Sequence, residues 1–181
     1  VSRSGFLRVA HDFYATTDPR AVAALAPHLA PGTRFIEPCA GDGALVRQLV
    51  ALGLHCVEAF DIAPRDESVR EGDALIWQRA AFDHPAVIIT NPPYRWDMLA
   101  PMIRHFIRQE NPAWLLLEAG FAYTRRAQPL MVFCHEVQPV GRLKWFPGSA
   151  HGSVKDYAWY HFQAEPNDGF AAFYPRPVVA A

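Results

Sequence analysis

The chain reads as an α/β protein, a mostly parallel sheet with helices on both faces, and three stretches carry that reading. In the first, a short strand from Thr33 to Glu37 runs through Pro38-Cys39-Ala40-Gly41-Asp42-Gly43 into a helical stretch from Ala44 to Leu52. Strand, glycine turn and helix in immediate succession form a corner where missing side chains let a ligand approach the backbone. In the second, a strand from His55 to Phe60 ends on Asp61, roughly twenty residues past the glycines, where nucleotide-binding sheets place an acid. In the third, Val87-Ile88-Ile89-Thr90 runs straight into Asn91-Pro92-Pro93-Tyr94. So apolar a run, bounded by turn residues, is a strand buried on both faces, as parallel sheets require.

The remaining elements follow in order. Asp12-Phe13-Tyr14-Ala15-Thr16-Thr17 opens the ordered part, with Phe13 and Tyr14 serving either as core aromatics or as a lid. Ala21 to Leu29 is helical: Asp18 caps it, Pro19 sits in its first turn, and Pro31-Gly32 stops it. Trp96 to Arg108 is a helix that Pro101 kinks or shifts. Ala113 to Glu118 is the next buried strand, and Ala127 to Cys134 is helical. Val137 to Phe146 and Tyr157 to Phe162 are strands of a closing antiparallel hairpin around the loop Pro147 to Asp156. Residues 1–11 and 168–181 read as irregular tails of a single domain.

Composition narrows the function. A net charge of −1 argues against a protein that coats polyanions. Yet residues 61–90 hold six acids and three bases, whereas 120–160 hold five bases and two acids, so a local phosphate contact fits the downstream part. Apolar runs are too short to span a bilayer and residues 1–8 lack a secretory pattern, which predicts a cytoplasmic protein. The three cysteines, Cys39, Cys56 and Cys134, are widely spaced, and the eight histidines lack ligand spacing, so neither disulfide nor metal is expected.

Residue chemistry points to one kind of ligand pair. A carboxylate at Glu37, on the strand end before the glycines, would repel a pyrophosphate but suits a cation, and S-adenosylmethionine carries both a sulfonium and an ammonium. Asp61 is placed for ribose hydroxyls, or is a solvated strand end. Asp73, in Gly72-Asp73-Ala74, is placed for an adenine amino group, or is a plain turn. Two prolines stiffen the turn that presents Asn91 and Tyr94. The Asn91 side-chain oxygen and the Pro92 carbonyl could accept both hydrogens of a planar NH2 group while Tyr94 stacks on its ring.

Together these residues resemble the class I S-adenosylmethionine-dependent methyltransferases, and within them the DNA adenine-N6 methyltransferases of the small phage type. The matching stretches are Phe13 to Thr17, Glu37-Pro38-Cys39-Ala40-Gly41-Asp42-Gly43, Asp61, Gly72-Asp73-Ala74 and Asn91-Pro92-Pro93-Tyr94, spanning residues 12–94. The resemblance implies a Rossmann-like, seven-stranded, mostly parallel sheet with an antiparallel terminal hairpin. It implies that Tyr14 and Thr16 close over S-adenosylmethionine, that Glu37 meets its amino group, and that Gly41 and Gly43 leave room for its methionine part. Pro38, Cys39, Ala40, Ile62, Ala74 and Asn91 complete the cofactor set; Cys39 departs from the aromatic or alanine more usual there. Asn91, Pro92, Pro93 and Tyr94 would be catalytic, acting on an adenine flipped out of its duplex.

Only 87 residues follow Tyr94, leaving little room for a separate recognition domain, so relaxed or short-sequence specificity is expected of a monomer or homodimer. Arg142, Lys144 and Lys155 around the terminal loop are candidates for nucleic-acid contact, the alternative being a long flexible hairpin connection. Trp145, Tyr157 and Trp159 alternate as core strand residues do, though each could stack on a base. The same tetrapeptide also suits RNA adenine or guanine amino groups and a protein glutamine amide. A non-catalytic binding module is the remaining class.

Overall fold

A computed structural model describes residues 14–78, 86–145 and 152–177. Its strands are β1 (Arg34–Glu37), β2 (His55–Asp61), β3 (Arg70–Glu71), β4 (Val87–Thr90), β5 (Ala113–Glu118), β6 (Cys134–Gly141), β7 (Tyr157–Phe162) and β8 (Ala172–Phe173). The helices are α1 (Pro19–Leu25), α2 (Ala44–Ala51), α3 (Trp96–Arg108) and α4 (Gln128–Met131). The strands form one sheet in the order β3-β2-β1-β4-β5-β7-β6-β8. β3, β2, β1, β4 and β5 pair in parallel, and β7 alone runs against both of its neighbours.

Alternation along the strands divides the core into two layers. Ile36, Ile88, Leu115 and Tyr160 face the layer that α3 and α4 cover. Phe35, Ile89, Trp114, Leu116 and Trp159 face the layer under α1 and α2. Each fully buried large side chain contributes roughly 1.5–3 kcal/mol over its exposed state. α3 shows why it docks: Leu99, Ala100, Met102, Ile103 and Phe106 are buried at helical spacing, while Arg104 and Arg108 point to solvent. Pro101 costs that helix one backbone hydrogen bond but does not interrupt it.

Asp18 caps α1, accepting from the Arg20 amide at 3.1 Å, and Pro19 is the first helical residue. Downstream of β5, two boundaries differ from the sequence expectation. The helix expected over Ala127–Cys134 is the single turn of α4, because Cys134 already pairs with Phe162 in the sheet. The strand expected over Val137–Phe146 is β6, which ends at Gly141. That glycine has φ +95°, and a Cβ there would lie 2.4 Å from the Arg176 guanidinium carbon, so extended structure stops. The sheet also gains β8, a two-residue strand beside β6 in the stretch read as tail. Phe13, residues 147–151 of the terminal loop and the end of the expected strand at Phe146 lie outside the described residues.

The order of strands fixes where a ligand can sit. From β1 the chain crosses to β2 and β3 on one side and returns to β4 and β5 on the other, so β1 and β4 flank the switch point. Crevices form beyond the carboxyl ends of parallel strands at such a point. Glu37 closes β1, Asp61 closes β2, Asn91 follows β4 and Glu118 closes β5.

Candidate functional site

Those four strand ends line a cavity of about 850 Å³, the size expected of a small-molecule site. On the β1 and β2 side the wall is Glu37, Pro38, Cys39, Ala40, Gly41, Asp61 and Ile62, with Asp73 and Ala74 beside them. On the β4 and β5 side it includes Asn91, Pro92, Pro93, Tyr94, Arg95, Trp96, Glu118 and Arg126, and Tyr14 and Thr16 also line it, as does Arg65 beyond β2. Separated by up to 80 residues in the chain, the expected cofactor and tetrapeptide residues share one cleft.

The glycine turn is held by its neighbours. Gly41 and Gly43 have φ of +54° and +72°, a conformation that side chains disfavour. The Gly41 amide donates to Asp61 Oδ2 at 2.9 Å, the Ala63 amide to Asp61 Oδ1 at 2.8 Å, and the Arg65 amide to the Gly41 carbonyl at 2.9 Å. Asp61 thus ties the end of β2 to the turn, and its oxygens keep lone pairs for a further donor. Gly43 stands outside the cavity lining and starts α2. Asp73 accepts from the Leu75 amide at 2.8 Å while lining the cavity, so the turn and the pocket wall are one structure.

Glu37 is the chemically exceptional group. It is 2% exposed, and its Oε2 has no hydrogen-bond partner. Burial, then the charges of Asp61 and Asp42, push its carboxyl well above the usual range, against the pull of the Val46 amide. A buried carboxylate with an oxygen left unpartnered is costly unless a cation or donor meets it. The acids of this wall, Glu37, Asp61 and Asp73, outnumber its one lining cation, Arg65, and as acceptors fit a ligand carrying an ammonium and hydroxyls. The cavity thiol, Cys39, is pushed far up, by burial first and then by Asp61, so it stays a neutral wall.

Across the cleft Asn91 has a fixed orientation. Its Nδ2 donates to the Tyr14 carbonyl at 3.0 Å and to Thr16 Oγ1 at 3.1 Å. A carbonyl can only accept, so the amide nitrogen must face Tyr14 and Oδ1 must face away. There Oδ1 accepts from the Tyr94 hydroxyl at 2.8 Å and retains a second lone pair. Burial, followed by Tyr157, Glu118 and Tyr14, raises the Tyr94 phenol well above its usual value, keeping it a neutral donor. Its ring packs 5.9 Å from Tyr157, which meets Trp145 edge-on at 4.9 Å. Trp159 is fully buried and donates to the Ala21 carbonyl at 2.8 Å, so it is core rather than a base platform.

Arg142, Lys144 and Lys155 lie outside the lining. The Lys144 amide donates to Asp18, and the Lys155 ammonium pairs with Glu118, which does line the cleft. Sequence reasoning passed over Trp96, Glu118 and Arg126. Glu118 was visible as the acid closing a buried strand, the same signal that singled out Glu37 and Asp61; Trp96 and Arg126 had no spacing signal. Among the described residues no group of three or more His, Cys, Asp or Glu side chains is arranged to hold a metal. No described helix is long and apolar enough to cross a membrane.

No family model matches the sequence, and no curated protein matches it. Solved structures do match in fold. A Listeria monocytogenes protein provisionally described as a class I S-adenosylmethionine-dependent methyltransferase superposes with TM-score 0.59 at 11% identity, over 93% of this chain and 67% of its own. The 23S rRNA methyltransferase ErmE gives 0.55 at 17%, over 85% and 71%. A TehB-like SAM-dependent methyltransferase from Corynebacterium glutamicum gives 0.52 at 14%, over 82% and 88%. The chain has the Rossmann-like class I methyltransferase fold.

Proposed function

We propose that the protein binds S-adenosylmethionine in this cleft and moves its methyl group to the exocyclic N6 amino group of adenine in DNA. The observation that carries the reading is the presence, across one cavity, of the unpartnered Glu37 Oε2 and the oriented Asn91 amide oxygen. Glu37, Asp61 and Asp73 would hold the ammonium, ribose hydroxyls and adenine of the cofactor, with Cys39, Ala40, Gly41, Ile62 and Ala74 as walls and Tyr14 and Thr16 closing over it. Bound there, S-adenosylmethionine supplies an electrophilic methyl on a sulfonium.

The protein's part is placement and charge. An adenine amino nitrogen is a poor nucleophile because its lone pair delocalises into the ring. The free lone pair of Asn91 Oδ1 and the Pro92 carbonyl would accept hydrogen bonds from its two N–H groups, drawing the nitrogen towards tetrahedral geometry and localising the pair. The N–CH3 bond forms as the S–CH3 bond breaks to leave a neutral thioether, and one N–H proton is then lost to water. The Tyr94 ring replaces stacking lost when the base leaves the duplex, and its hydroxyl keeps Asn91 aimed. Arg142 and Lys144, which flank the terminal loop in the sequence, would supply backbone contact, and Lys155 would do so on release from Glu118. The likeness in fold to the 23S rRNA methyltransferase ErmE keeps RNA as the second reading.

The test is methyl transfer from labelled S-adenosylmethionine to DNA, RNA and peptide offered in parallel, followed by digestion and mass analysis. N6-methyladenine in DNA supports the proposal. Label confined to RNA or peptide, or transfer unchanged in Asn91→Ala, refutes it.

A further inference from the structure

We infer that Arg126 is a phosphate-gripping residue of this cleft, holding the nucleic-acid backbone beside the target base. The inference rests on the proposed function, since it names how the substrate of that same site is anchored. Arg126 lines the cavity, on the tetrapeptide side, and follows the carboxyl end of β5. Its guanidinium carbon stands 4.6 Å over the Trp96 ring, and the other neighbour of that ring is Phe121, at 6.3 Å. Trp96 begins α3, immediately after the tetrapeptide turn. The stack therefore fixes the arginine relative to Asn91 and Tyr94 through rigid elements.

Beside the tetrapeptide the cleft wall carries two arginines, and they differ in pairing: Arg95 pairs with Asp97, and Lys155 nearby pairs with the lining Glu118. Among the described residues Arg126 has no ion pair and no side-chain hydrogen bond; its one contact of this kind is the Trp96 ring, over which its guanidinium carbon stands. A guanidinium held over a ring leaves its N–H donors unsatisfied, and such a fork can meet a phosphate with two parallel hydrogen bonds. An exposed, pre-oriented and unneutralised fork at the rim of a cleft for a flipped base meets the phosphodiester next to that base. DNA and RNA present the same group there, and the experiment separates them.

The experiment measures binding of single-stranded DNA and single-stranded RNA of one adenine-containing sequence, across a salt series, for the parent chain, Arg126→Gln, Arg126→Lys and Arg108→Gln. Arg108 closes α3 at the opposite end of the sheet and is the charge control. The expected result is about ten-fold weaker binding in Arg126→Gln at low salt. Its plot of log affinity against log salt should be shallower by about 0.7, one phosphate contact on a single strand. Arg126→Lys should keep the parent slope, Arg108→Gln should change neither quantity, and S-adenosylmethionine affinity should be equal in all four. The strand with the larger Arg126 effect is the physiological backbone. An unchanged slope in Arg126→Gln while the parent still methylates nucleic acid overturns the inference alone. Loss of S-adenosylmethionine affinity in that variant overturns it too, making Arg126 a cofactor contact. A parent chain that neither binds nor methylates nucleic acid overturns the inference together with the reading beneath it.

Discussion

The Asn91 side-chain nitrogen lies 3.0 Å from the Tyr14 carbonyl oxygen, a residue 77 positions earlier in the chain. Through this bond and the one to Thr16, the segment beside the cofactor wall is fastened to the residue proposed to orient the target amino group. On the proposed reading, binding of cofactor and aiming of the amide are mechanically joined. Gln48 of α2 adds to the fastening by donating to the Thr16 carbonyl at 2.5 Å.

Asn91→Ala should accordingly have two effects. Methyl transfer should fall about 10²- to 10³-fold, as when one oriented transition-state partner is removed. S-adenosylmethionine affinity should weaken several-fold as well, since Tyr14 and Thr16 lose their tether. Titration calorimetry beside a single-turnover assay reads both, and full cofactor affinity in the variant would show that the tether has no role.

Tyr94 offers a finer division, because its ring and hydroxyl have different partners. Tyr94→Phe keeps the ring against Tyr157 and loses only the bond to Asn91 Oδ1. A neutral hydrogen bond is worth about 1 kcal/mol net, so transfer should drop about five-fold. Tyr94→Ala removes the stacking surface and should drop it by a further factor of about 10 or more. Equal rates for Tyr94→Phe and Tyr94→Ala would place the whole contribution in the hydroxyl.

Legibility of these features in the sequence followed their range. Periodicity and capping are local, and they set α1 from Asp18-Pro19, α3 from Trp96 to Arg108 and β5 from Ala113 to Glu118 with their observed bounds or close to them. The glycine turn, Asp61 and Asn-Pro-Pro-Tyr were legible because each is a short stretch whose residue types restrict its chemistry. The ends of β6 were not, since Gly141 is fixed by Arg176, 35 residues on, and Cys134 by Phe162. Arg126 was silent for the same reason: its partner Trp96 is met only through the packing of α3.

Asp18 has a stability role at long range. Besides capping α1 and pairing with Arg20, it accepts from the Lys144 amide at 2.8 Å, tying α1 to the chain beyond β6. Burial is the largest single influence on its carboxyl and would raise it. The Arg20 side chain and the Lys144 and Arg20 amides together hold it below the ordinary 3.8. A carboxyl lowered by folding stabilises above its unfolded value and loses that contribution as pH falls through the folded one. Asp18→Ala should cost about 1–2 kcal/mol at neutral pH, and its deficit against the parent in chemical denaturation should shrink below pH 3.8. A constant deficit across that range would assign the loss to packing.

Glu37 carries the opposite sign. Its folded carboxyl is raised well above 4.5 by burial and by Asp61 and Asp42. The protein without cofactor is therefore destabilised progressively as pH rises from below 4.5 towards the folded value. Glu37→Gln removes that penalty and keeps the volume. Without cofactor the variant should melt higher than the parent at neutral pH, by a margin that closes towards pH 4. With saturating S-adenosylmethionine the order should reverse, because an amide cannot attract an ammonium and the variant's cofactor affinity should be weaker by about ten-fold or more. Scanning calorimetry with and without cofactor, across that pH range, reads both halves at once. A variant that melts lower than the parent in both states would mean that Glu37 is a structural acid whose partner lies within the protein, and the cation site would have to be sought elsewhere on the cleft wall.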